Sequence, residues 1–152
     1  MSTTKINLEI QTKIDLGLIS EGIKLHLVRF LASVRLERDN GWTENYIAIM
    51  DTGNPVSIVP KFVWNNTKFK VISPKKADLY GIGPIPIKGV LGEIALVLED
   101  EKSVSPAMNI KAYLLDDNKV PFLIGIEDFL TGSKLVTDIP NDTAYIEFGT
   151  QQ

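Results

Sequence analysis

Apolar residues along this chain recur mostly at every second position and are rich in Ile, Val and Leu. A period near two belongs to a strand with one buried face, because successive side chains leave opposite sides of the backbone. Ile6, Leu8 and Ile10 alternate with polar neighbours, as do Ile23, Leu25 and Leu27, and Val28 to Leu36 prolongs the second run into the charged Glu37-Arg38-Asp39. Asp39-Asn40-Gly41 holds residues that tolerate positive φ, so a hairpin is expected there, with Tyr46 to Met50 as the returning strand. Val56-Ser57-Ile58-Val59-Pro60 is a further β-rich run; the Lys-Phe-Val-Trp that follows fits one helical turn, and Trp64-Asn65-Asn66-Thr67 reads as a loop.

The second half continues the pattern. Tyr80 to Ile87 is dense in glycine and proline between apolar residues, which suits an exposed hairpin tip and not a central strand. Glu93 to Glu99 and Ile110 to Leu115 are expected strands, separated by a segment that opens with the polar Asp100-Glu101-Lys102-Ser103 turn. Pro121 to Gly125 reads as a buried strand ending in glycine, Glu127 to Leu130 before Thr131-Gly132 as a short helix closed by a glycine cap, and Thr143 to Phe148 as the last strand. The expectation is one mainly β domain over residues 1–152, without internal repeat, low-complexity tract or linker.

Composition narrows the functions open to such a domain. At 152 residues the chain suits one domain with a real core and is too short for two lobes of ordinary size. Its net charge of −3 offers no electrostatic footprint for nucleic acid. With no cysteine and one histidine, His26, thiolate chemistry and zinc coordination lack their ligands, and His26 in an alternating strand reads as a structural residue. Neither a signal-peptide pattern nor a run of ~18 apolar residues is present, so a cytoplasmic protein without membrane or cofactor is expected. No serine sits in a nucleophile elbow, and no glycine-rich loop leads into Lys-Ser or Lys-Thr as a phosphate cradle would. Glu99-Asp100-Glu101 and Asp116-Asp117 lie in turn-like sequence and read as solvated turns.

One constellation remains. Asp51-Thr52-Gly53 follows the apolar strand Ile47-Ala48-Ile49-Met50 and precedes Ser57-Ile58-Val59, so its aspartate sits on a tight strand-to-strand turn able to hold a carboxylate rigidly. As a bare triplet it would be an ordinary polar turn; its flanks and two later segments in matching order lift it above that. The segment I-A-I-M-D-T-G-N-P-V-S-I-V, the later Y-G-I-G-P-I-P-I-K-G-V-L-G-E-I-A-L-V-L and then F-L-I-G-I-E-D-F-L resemble, in order, the catalytic turn, the glycine-rich flap with its strands, and the apolar-glycine-helix segment of the retropepsin family of single-domain aspartic peptidases. The likeness spans residues 23–149 and leaves 1–22 as an additional N-terminal strand region.

The resemblance implies a closed acid-protease barrel with one short C-terminal helix, working as a homodimer on peptide or unfolded protein without cofactor or metal. It implies that Asp51 is the catalytic acid and base, within an active-site turn formed with Thr52, Gly53 and Asn54. Thr52 would tie the turns of two copies together and Gly53 would let substrate backbone approach. Gly81, Ile82 and Gly83 become the flap tip, with Pro84 and Pro86 departing from the glycine-rich pattern, while Pro121 and Leu123 line side-chain pockets. Viral members often carry an ion pair where Pro55 and Ile126 stand here, so the dimer would rest on other contacts. The chemistry is coherent, since hydrolysis by water needs a base and an acid, and two carboxyls sharing one proton supply both. One chain holds one Asp-Thr-Gly, so a two-fold copy is the economical source of the second. Two other readings fit the pattern: the same fold as a non-catalytic peptide-binding or dimerisation module, and an unrelated β sandwich that binds a partner.

Overall fold

Alternation of buried and half-buried residues organises almost every strand. The computed structural model describes residues 3–80 and 84–149. In chain order the elements are β1 (Thr4–Asn7), β2 (Glu9–Ile14), α1 (Leu16–Ile19), β3 (His26–Arg38), β4 (Gly41–Trp42), β5 (Tyr46–Met50), β6 (Ser57–Val59), α2 (Lys61–Trp64), β7 (Phe69–Leu79), β8 (Ile87–Glu99), β9 (Met108–Leu115), β10 (Leu123–Ile124), β11 (Ser133–Asp138) and β12 (Thr143–Phe148), with 3-10 turns at Leu130–Gly132 and Ile139–Asn141. The protein is mainly β. Both α-helices are single turns, and no described helix is long and apolar enough to cross a membrane.

Two sheets share one core. The smaller runs β1-β12-β11; the larger runs β2-β3-β5-β10-β6-β9-β8-β7, and β3 also pairs with β8, so the ladder from β3 through β5, β10, β6, β9 and β8 returns to β3. Strand β3 is the pivot. Its first part pairs with β2, Leu31 to Val34 with β5, and Ser33 to Leu36 with β8. Ala32, Val34 and Leu36 point inward to meet Ile94, Leu96 and Leu98 of β8 and Ile110, Ala112 and Leu114 of β9. The hairpin after β3 turns through Asp39 and Asn40 into Gly41, whose φ of 121° is a conformation that other L residues rarely adopt.

Several elements differ from the sequence pattern for identifiable reasons. The run Ile6-Leu8-Ile10 divides at Leu8, because β1 pairs with β12 whereas β2 pairs with β3, and the Leu8 N–H donates to Ala144 O at 2.9 Å between them. Ile23 and Leu25 precede β3 instead of belonging to it, and they and Leu27 are exposed because nothing within the described chain covers that end of the molecule. The polar residues of β7 and β11 mask two strands. Strand β7 is a sheet edge, where Pro74 and register shifts on either side of Ser73 are tolerated.

The short helix expected over Glu127 to Leu130 is a turn followed by the 3-10 turn, and Ser133, not a glycine, ends it. Asp128 stands at φ 62°, in the left-handed region that interrupts a right-handed helix but that Asp tolerates better than most residues. Its carboxylate accepts from the Lys111 N–H at 2.8 Å and from Lys111 Nζ at 3.0 Å, fastening this turn to β9.

The hydrogen bond from the Lys111 side chain holds the Asp128 carboxyl below the usual carboxylate range, against a smaller opposing effect of burial. A carboxylate whose pKa is lower folded than unfolded, where it is ~3.9, stabilises fully above that pH and loses its contribution as pH falls through the folded value. Asp128→Asn keeps the left-handed tolerance and removes the charge. Its urea midpoint should lie below wild type at pH 7, and the gap should close as the pH is taken below about 4.

Candidate active site

The site is built where β10 enters between two strands that are neighbours in sequence. Leu123 and Ile124 pair in parallel with Ile49 and Met50 of β5, while Leu123 also pairs with Ile58 of β6 in the antiparallel sense. The Asp51 to Val56 loop therefore leaves β5, passes over the end of β10 and returns as β6. Side chains alternate across this three-strand unit. Met50, Ile124 and Val59 face the main core, while Leu123 and Ile58 belong to a second apolar cluster with Ile87, Leu115 and Val120, against which Ile49 and Tyr113 pack.

Backbone bonds at the end of β10 set the turn. Asp51 N–H donates to Ile124 O at 2.9 Å, Ile126 N–H to Asn54 O at 3.0 Å and Glu127 N–H to Pro55 O at 2.9 Å. The fully buried Ser57 hydroxyl accepts from the Gly125 N–H at 2.9 Å. Gly125 lies against the loop so closely that a β-carbon there would stand 2.7 Å from Asn54 O and from the Val56 carbonyl carbon. Sequence reading saw a glycine ending a strand; the closeness of the crossing is visible only in three dimensions.

The Asp51 carboxylate is fixed by its own turn. One oxygen, Oδ1, accepts from the Gly53 N–H at 3.0 Å, and the other, Oδ2, accepts from Asn54 Nδ2 at 3.2 Å. Asp51 and Asn54 are half-buried, and Thr52 and Gly53 are exposed. Asn54 thus has a definite contact that the sequence did not reveal, because its spacing from Asp51 is compatible with many turn shapes.

All four turn residues open on a cleft of about 1130 Å³, which Pro121 and Leu123 also line. Leu123 is buried and Pro121 exposed. The base of the β7–β8 hairpin contributes Asp78, Leu79 and the exposed Tyr80. Gly81, Ile82 and Gly83, the expected flap tip, lie outside the described residues. The cleft wall further includes Val28, Arg29 and Phe30 of β3, Tyr113 of β9, and Leu135 and Thr137 of β11. None of these carries a motif, and only the pairing of distant strands brings them together. His26 lies on the exposed part of β3. Asp100 serves its turn, accepting backbone N–H groups of Asn7, Lys102 and Ser103 at 2.7 to 2.8 Å. Among the described residues no three His, Asp or Glu side chains are grouped so as to hold a metal ion.

No family model matches the chain, and no curated protein sequence matches it. Among solved structures it is similar to a retropepsin-like aspartic protease from Rickettsia conorii, with 15% sequence identity and a TM-score of 0.51, over 97% of this chain and 92% of that one. The fold is therefore retropepsin-like, with the Asp51 turn at the crossing of β5, β6 and β10.

Gly125→Ala should destabilise the protein by about 1–3 kcal/mol in urea unfolding, the usual cost of forcing atoms into a packed site. Gly132→Ala, where a β-carbon meets nothing within 4 Å, should change stability by less than about 0.5 kcal/mol. Ser57→Ala leaves the buried Gly125 N–H without its acceptor and should cost about 1–3 kcal/mol in the same measurement.

Proposed function

We propose that this chain is one half of an aspartic endopeptidase, whose active site forms when two copies bring their Asp51 turns together across a two-fold axis. The observation that carries the proposal is the Asp51 carboxylate, held through both oxygens on a tight turn at an apolar-walled cleft. The retropepsin-like fold, shared with a structural neighbour described as an aspartic protease, supports it.

In this reading the two carboxyls share one proton, because like charges in contact cannot both ionise cheaply. A water between them loses a proton to the ionised Asp51, and its oxygen forms a bond to the scissile carbonyl carbon. The protonated Asp51 of the other copy gives its proton to the carbonyl oxygen. Collapse of the resulting diol breaks the C–N bond: the proton first taken from water passes to the leaving amine, and the other copy's Asp51, now ionised, takes a proton back from a diol hydroxyl as the new carboxyl C=O forms. Gly53 leaves room for substrate backbone, and Thr52, exposed beside Asp51, joins the two turns. Gly81, Ile82 and Gly83 close over the peptide and exclude water. The apolar wall around Leu123, Ile58 and Tyr113 suits extended peptide with apolar side chains, bound mainly through its backbone.

The deciding experiment is cleavage of casein between pH 3 and 8 by wild type and by Asp51→Asn, with and without a statine-type transition-state mimic. Wild type should cleave and be inhibited by the mimic. The variant should lose activity by about 10³-fold or more, because an amide cannot exchange the proton. A demonstrably dimeric wild type with no cleavage at any pH would leave the non-catalytic peptide-binding module as the reading.

A further inference from the structure

The hairpin formed by β2, α1 and the start of β3 extends past the core as an arm, and its composition is unlike that of a solvated loop. Ile14, Leu16, Ile19, Ile23, Leu25 and Leu27 are all exposed, from 42% for Ile14 to 79% for Leu16. Six residues of this size offer roughly 500 Å² of apolar surface, at the upper end of the ~300–600 Å² of the largest patch on a typical monomer.

Strand register shows how this surface is disposed. Lys13 pairs with Leu27, and Ile14 with His26, so Leu27 and Ile14 lie on opposite faces of the ribbon. Leu25 and Ile23 precede Leu27 at alternate positions, while Thr12 and Val28 continue the face of Ile14. A two-stranded ribbon that is apolar on both faces gains most from cover on both, and by itself is at best marginally stable. Its outer strand β2 is also the end of the large sheet, with a backbone edge that is unpaired among the described residues and neither proline nor register shift to guard it. At the opposite edge, β7 carries Pro74, Lys70, Lys75, Lys76 and two register shifts.

The root of the arm points to the occupant. Val28, Arg29 and Phe30, at its base, line the same cleft as Asp51. The arm therefore leaves the molecule from the rim of the face that the proposed function turns toward a second copy. We infer that the arm packs on that second copy and forms a major part of the contact between the two chains. This rests on the dimeric reading of the Asp51 site. By two-fold symmetry both arms are buried, so roughly 500 Å² from each chain supplies much of the ~800 Å² that a partner contributes to a standard interface.

The chain has no cysteine, which permits a clean test by single-thiol labelling. Sedimentation equilibrium would be run on wild type, on Leu16→Cys, and on the double variant Leu16→Lys with Leu25→Lys, with circular dichroism and urea unfolding as checks on folding. The double variant should remain folded, because both positions are exposed, and its dimer dissociation constant should rise at least tenfold. Maleimide labelling of Leu16→Cys should slow at least tenfold between a concentration at which the protein is monomeric and one at which it is dimeric. A wild type that stays monomeric at all concentrations would overturn both this inference and the dimeric active site. A dimeric wild type whose affinity survives the double substitution, with labelling equally fast at both concentrations, would overturn the arm contact alone. Labelling that is unaffected by concentration but suppressed by phosphatidylcholine–phosphatidylglycerol vesicles would overturn it too and assign the arm to a lipid surface.

Discussion

The contact between Gly125 and the 54–56 segment is the constraint on which the site depends. Two stretches of chain cross there with no room for a side chain between them. The approach lets β10 lie between β5 and β6, so that backbone bonds from Asp51, Ile126 and Glu127 and a buried hydroxyl from Ser57 all close around one crossing. The bond from the Gly125 N–H to Ser57 satisfies a buried donor that would otherwise cost about 1–3 kcal/mol. The turn carrying Asp51 is therefore held from the core side as well as by its own hydrogen bonds.

That arrangement separates two tasks in adjacent residues. Met50, Ile124 and Val59 are spent on the core, and their neighbours Ile49, Leu123 and Ile58 face the second cluster beside the cleft. A one-residue slip of β10 would exchange the two sets and move the Asp51 bond away from Ile124. In the proposed function, this rigid placement of a carboxylate next to an apolar wall serves proton transfer to and from a bound peptide. The second Asp51 carboxylate of that proposal comes from the other copy, because one chain holds one Asp-Thr-Gly.

The arm obeys opposite physics. Around the crossing, apolar residues are covered and polar groups are paired; along residues 14–27, apolar residues are left in solvent although the alternation is the same. Period alone says that a segment is extended with one or two sticky faces. Whether this chain covers those faces depends on where the rest of its mass lies, and here the mass ends near Phe30.

The sequence by itself determined most of the strands, the hairpin at Asp39-Asn40-Gly41, the one-turn helix after Pro60 and the position of Asp51 between two strands. These rest on local properties such as side-chain alternation and positive-φ tolerance. It misread the Glu127 to Leu130 turn, where the Asp128 bonds to Lys111, seventeen positions earlier, favour a left-handed residue over a helix. It passed over β7 and β11, whose polar composition hides their pairing. Only the tertiary structure decided that Asn54 holds the second oxygen of Asp51, that Gly125 must be bare, and that β3, β9 and β11 wall one cleft. The last two facts depend on distances between segments far apart along the chain, which no local pattern of residues encodes, and the Asn54 bond depends on a turn shape that its spacing from Asp51 leaves open.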